Sequence, residues 1–222
     1  MEKADATEAT GVVTRALTNL LKCIVPTSST AAQARSAVGA LIADANALLA
    51  ANAIGPPLQS CFSQVQQTGA TWQQIDQVRE WVTLETPATL GGELMQNALV
   101  YECLAFEALI VSSMTFTSRE DVETLQQELL QPFQQAEETA ADDMHQMSYQ
   151  AMIGLQAALT NFLSQTAMPL PWMANYQFAA VLPSLVIAQR LYADASRADQ
   201  IVAENKIVHP AFCPPTGEAL SF

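Results

Sequence analysis

Positive charge is scarce in this sequence. Nine Lys and Arg stand against 22 Asp and Glu, for a formal net charge of −13. The bases come singly, at Lys3, Arg15, Lys22, Arg35, Arg79, Arg119, Arg190, Arg197 and Lys206. Duplex DNA is held by several cations neutralising phosphates together, so a chain this acidic is repelled by nucleic acid over most of its surface. The same charge disfavours an anionic membrane. Cysteine is equally thin. Cys23, Cys61, Cys103 and Cys213 lie far apart with no CxxC pair, which indicates neither a zinc site nor a disulfide framework and fits a reducing compartment.

Only His145 and His209 could serve as a base, and no GxSxG elbow surrounds any serine, so the sequence does not indicate a nucleophilic triad. Of eight glycines only Gly91 and Gly92 are adjacent, and no lysine follows them, which excludes a phosphate-cradling loop. The amino-terminal MEKADATEAT lacks the apolar core of a signal peptide. No repeat of fixed period is present to suggest a solenoid.

What is abundant is hydrophobic, helix-forming sequence: half the residues are apolar. Val12, Val13, Ala16, Leu17, Leu20, Leu21 and Ile24 recur at helical spacing over residues 5–25, and Pro26 stops them. Thr27, Ser28 and Ser29 offer caps for a second helix whose apolar face runs from Val38 to Leu49, ending near Asn52. AIGPPLQS (53–60) reads as a break, with a short helix following to Gln67. Thr71 and Gln74 form a capping box for a helix carrying Trp72, Ile75, Val78, Trp81 and Val82.

After a turn through PATLGG comes the most apolar segment, a helix from Glu93 to about Met114. It is long enough to raise the question of a membrane span, but Glu102 and Glu107 interrupt it at considerable cost in lipid, so it reads as the central helix of a bundle. Ser118 with Asp121 opens an acidic helix with an apolar seam, and Pro132 predicts a kink or a split within it. Helical spacing resumes through Met144 and Met147. MPLPWMANYQF (168–178) is read as an extended crossover laying Trp172 and Tyr176 on a helical surface. Two helices, 179–192 and 196–205, and an irregular tail complete the chain. The expectation is therefore an all-α, multi-helix bundle over 1–167, with a long central apolar helix and a small C-terminal helical subregion over 168–222, sharing one core.

Few constellations suggest chemistry. Asp142 and His145, read as three apart on one helix, make half of a di-metal carboxylate–histidine arrangement, with Glu102 or Glu107 opposite; the other half is missing, and a solvated helix face outweighs it. His209 and Cys213 stand alone in HPAFC and are weighed as a tail pair rather than ligands. Glu102 and Glu107 are buried-carboxylate candidates, with Arg79 or Arg190 as partners, and a paired structural role outweighs proton handling. Neither a catalytic residue, a metal nor a cofactor is expected.

The stretch from Leu182 to Leu220 resembles the C-terminal end of the Mu-like phage DNA-circularisation family, also called DNA circulation proteins. Leu191, Tyr192, Asp194, Arg197, Ala198, Asn205, Ile207, His209, Pro210 and Phe212 occupy the positions of its pattern. The motif reads as a structural lock: Asp194 or Ser196 caps a short helix, Asn205 closes it, and Ile207, Pro210 and Phe212 pin the tail. The chain departs from the pattern at Ala193, where glycine is expected, and at Ala211 and Pro214–Pro215. Family members are longer, so the chain is read as a C-terminal portion or a shortened member. The resemblance implies a virion protein of the tail or baseplate, present in the host cytoplasm during assembly, homo-oligomeric and meeting other tail proteins, with no small-molecule substrate. The family's label implies the alternative, handling of phage DNA ends, through parts that lie outside this region.

Overall fold

The computed structural model describes residues 3–221, with the side chain of Lys3 left aside. It is predominantly helical, as expected, with one small antiparallel ribbon. The helices are α1 (Lys3–Leu20), α2 (Ala31–Ala50), α3 (Gly55–Gln67), α4 (Trp72–Thr83), α5 (Leu90–Val111), α6 (Arg119–Asp142), α7 (Gln146–Ala167), α8 (Ser184–Tyr192) and α9 (Ala198–Glu204); the strands are β1 (Met173–Gln177) and β2 (Thr216–Leu220). The described residues divide into two compact units, one of residues 3–114 with 128–161 and one of residues 115–127 with 162–221.

The first unit is built on α5, which packs against both α1 and α4. Val13, Leu17, Phe62, Val65, Ile75, Leu99 and Cys103 are buried in its core, and the Phe62 and Phe106 rings stack at 5.4 Å between centroids. By length and a mean hydropathy of 1.4, α5 is the one described helix that could cross a membrane; here its apolar residues Leu99, Cys103 and Phe106 are buried against the neighbouring helices.

Local chemistry explains the boundaries. Thr71 and Gln74 form the expected reciprocal capping box, Thr71 Oγ1 accepting from Gln74 N and Gln74 Oε1 accepting from Thr71 N. Ser118 and Asp121 do the same at the start of α6. The helix α2 ends at Ala50, close to the expected Asn52, whose φ of 52° lets Ala53 N reach back to Leu48 O.

Several boundaries differ from expectation. α3 begins at Gly55 rather than after the prolines, because Pro56 and Pro57 sit in its first turn, where the missing N–H groups have no helical acceptor anyway. α2 begins at Ala31, later than the Thr27–Ser29 caps suggested; Ser28 Oγ instead accepts from Thr30 N in the preceding turn. α1 is shorter than the 5–25 pattern and tightens into a 3-10 turn at Leu21–Cys23. α6 runs unbroken through Pro132, held by the buried Leu129 and Phe133 on either side. α8 starts only at Ser184, since Pro183 forces Leu182 into an extended conformation, where it bridges to Cys213.

The second unit holds the ribbon. β1 and β2 pair antiparallel in the register Met173↔Leu220, Asn175↔Glu218 and Gln177↔Thr216. The predicted irregular tail is thus partly a strand. Tyr176, Ile187, Ala188, Tyr192, Ile201 and Cys213 form the core beneath.

Candidate functional site

In the first unit a groove of about 730 Å³ lies between α4 and α6, lined among others by Trp72, Asp76, Arg79, Glu80, Glu128 and Gln135. Arg79 also lines a smaller hollow of about 210 Å³ beside Tyr101 and Gln96. The guanidinium of Arg79 is 7% exposed and is held from two sides: Nε donates to Glu107 Oε1 at 3.2 Å, and Nη2 pairs with Asp76. The helical spacing of Asp76 and Arg79 on α4 produces the second contact.

Glu107 is fully buried, and burial pushes its carboxyl up to about 8 even though Arg79 pulls in the opposite direction. Burial alone would lower Arg79, but Glu107 and Asp76 hold it above its ordinary value. The consistent picture is a charged Arg79–Asp76 pair with Glu107 as a hydrogen-bonding third member that favours its neutral form. Glu107 Oε2 has no partner among the described residues and does not open on the groove. Of the two arginines considered for this carboxylate, Arg79 is the partner. Arg190 lies in the other unit over the Phe178 ring, at 5.7 Å. Glu102 has no described ion pair, and burial raises its pKa. The groove lining offers hydroxyl, amide and carboxylate groups but no histidine, cysteine or serine.

The other chemical candidates come apart. Asp142 and His145 do not share a helix: α6 ends at Asp142, Met144 takes a left-handed φ of 55°, and His145 N bonds back to Ala140 O at 2.9 Å. This helix-ending turn forms without glycine or asparagine, which is why spacing alone concealed it. His209 Nδ1 accepts from Ala211 N, while Cys213 is buried with its thiol against Pro210 O, so the pair is not a ligand set. No group of three or more potential ligands gathers among the described residues. All four cysteines are free and buried.

The residues of the C-terminal motif, by contrast, converge on the ribbon. Arg197 lies over the Tyr192 ring at 3.7 Å, Leu191 and Ile207 pack on the core, and Asp194 Oδ1 accepts from Ser196 N. Asn205 caps α9 through Nδ2 to Ile201 O and also reaches the edge of β2, where Oδ1 accepts from Glu218 N and Nδ2 donates to Glu218 O. Gly217 permits this: a Cβ there would come within 2.6 Å of Tyr176 Oη. Pro210 O accepts from Ser184 N. Phe212 departs from expectation; it is exposed and its ring lies tilted against His209 at 5.2 Å instead of pinning the tail into the core. No family model matches the chain, and no curated protein matches it either.

One feature escaped the residue-by-residue reading. From Met144 to Gln189 the sequence contains no Asp, Glu, Lys or Arg, in a chain of net charge −13. In the first unit this stretch exposes Met144 (90%), Met147 (87%), Tyr149 and Ile153; in the second it exposes Met168, Trp172, Val181 and Leu185. Met144 and Met147 border a further hollow of about 450 Å³ with Leu94 and Tyr101. A scan for charge-free windows, rather than for apolar periodicity, would have found it.

Proposed function

We propose that this chain is a structural, protein-binding component of a contractile phage or prophage tail or baseplate, acting in virion assembly, self-associating and meeting neighbouring tail proteins. The observation that carries the protein-binding part is the coincidence of large exposed apolar side chains with the charge-free stretch from Met144 to Gln189. Exposed methionine and aromatic side chains, in a segment with no charged residue of its own, are the composition of a desolvated interface centre. The tail assignment draws on the C-terminal resemblance alone, and the residues that carry it are engaged in holding the ribbon and its helices together.

The cations support the same reading against a DNA-end-binding role. Arg15 pairs with Glu85 and Arg79 with Asp76 and Glu107, while Arg119, Arg190 and Arg197 lie over aromatic rings. These five arginines are each engaged by partners within their own unit, whereas phosphate neutralisation requires several free cations acting together. Co-expression with the products of flanking tail genes, followed by light scattering on the purified material, tests the proposal. The expected result is a stable complex larger than the chain alone; a strict monomer that captures none of those proteins contradicts it.

A further inference from the structure

We infer that β1 is the seam of a symmetric dimer, pairing antiparallel with β1 of a second copy of this chain. The ribbon has two outer edges, and only one is closed. On β2 the backbone of Glu218 points away from β1 and is taken by Asn205. Glu218 is the register partner of Asn175, so Asn175 also points its N–H and C=O away from the ribbon, on the opposite side. The flanking bonds fix the same alternation: Ser221 N donates to Trp172 O at 2.6 Å, and Phe178 N donates to Pro215 O at 2.7 Å. Met173, Asn175 and Gln177 therefore present an outward row of donors and acceptors, and no described residue bonds to them.

Natural edge strands are guarded against such pairing by charge, proline or a covering element. Within its five residues, MANYQ, β1 has neither charge nor proline; only the outward C=O of Pro171, just before the strand, is taken, by Arg119 N at 3.0 Å. The choice of a second copy over a foreign strand follows from symmetry and charge. An antiparallel pairing centred on Asn175 sets Asn175 against its own copy and Met173 against Gln177 of the other chain. Each of these pairs has both members pointing outward and so exchanges two hydrogen bonds, satisfying the whole row. Two chains of charge −13 repel over most of their surfaces, but β1 contributes no charge of its own to the seam, and the cation nearest its start, Arg119 over Trp172, opposes that repulsion.

The inference deepens the self-association proposed above, and its test separates the two. In an edge dimer, Asn175 and its copy face each other at about 5.5 Å between Cα atoms, within disulfide reach. The four native cysteines are buried, so background cross-linking is low. Asn175→Cys in the full chain, mildly oxidised, is expected to yield a covalent dimer of twice 23.9 kDa. Asn175→Pro removes only an outward N–H, and is expected to run as a monomer in sedimentation while keeping the native circular dichroism. A native chain that stays monomeric at high micromolar concentration overturns both the edge pairing and self-association. A native dimer that Asn175→Cys does not cross-link and Asn175→Pro does not dissociate overturns the edge pairing and leaves self-association through another surface.

Discussion

Asn205 grips Glu218 by its backbone, its amide accepting from the N–H and donating to the C=O at 2.7 Å each. One side chain thereby acts as a third strand for one residue of β2 and ties the end of α9 to the ribbon. Asn205→Ala leaves both Glu218 groups to solvent and is expected to cost roughly 1–3 kcal/mol in chemical denaturation, the usual range for such losses. Gly217→Ala should be at least as damaging, since its Cβ has no room beside Tyr176 and Asn205. Unchanged unfolding midpoints in both variants would show that the grip contributes nothing.

Ala193, where the resembled pattern has glycine, ends α8 in a left-handed conformation at φ 56°. A Cβ is disfavoured there, and Ala193 is exposed, so nothing is lost by removing it. Ala193→Gly is expected to stabilise the protein by about 1 kcal/mol, read as a higher thermal midpoint. Destabilisation would mean that the added freedom of the unfolded chain outweighs the relief.

Glu107 and Glu8 make opposite contributions to the pH dependence of stability. Burial lifts Glu107 to about 8, so the folded state holds its proton more tightly than the unfolded chain does, and stability falls as pH rises from the ordinary carboxylate range through about 8. Glu107→Gln should flatten that slope while still accepting from Arg79. Glu107→Leu leaves Arg79 Nε without this acceptor while Asp76 still pairs its charge, and is expected to cost roughly 1–3 kcal/mol. A pH profile identical in native protein and Glu107→Gln contradicts the assignment.

Glu8 works the other way. Its carboxylate accepts from Ala88 N at 2.8 Å and Thr89 N at 2.7 Å, fastening α1 to the start of α5. These backbone bonds lower its pKa, so its contribution is present above the ordinary carboxylate range and is lost as pH falls. Glu8→Gln should therefore lower stability at neutral pH and converge with the native protein in acid. A constant difference at every pH would count against a charged role.

The parts of this fold that were legible are those written in neighbouring residues. The Thr71–Gln74 box, the Ser118–Asp121 cap and the stop at Asn52 each need only a few positions and a known local geometry. The Arg79–Glu107 pair was narrowed to two arginines, because a buried carboxylate demands a partner and few cations exist. The β1–β2 pairing was not legible, since it joins residues some forty positions apart across two helices and a proline-rich tail. The turn at Met144 is hidden by an unusual residue in a left-handed position, and α6 continues through Pro132 without splitting because the burial of Leu129 and Phe133 outweighs one missing bond.

The proposed function requires that this chain bind protein through uncharged, exposed apolar side chains and be repelled by nucleic acid through its net charge of −13. Sedimentation of the native chain mixed with linear duplex DNA, across a salt series, tests it most directly. The expected result is a mass above 23.9 kDa that grows as salt screens the acidic repulsion, with no DNA in the protein boundary at any salt. A monomer that carries DNA at low salt and releases it as salt rises would contradict it.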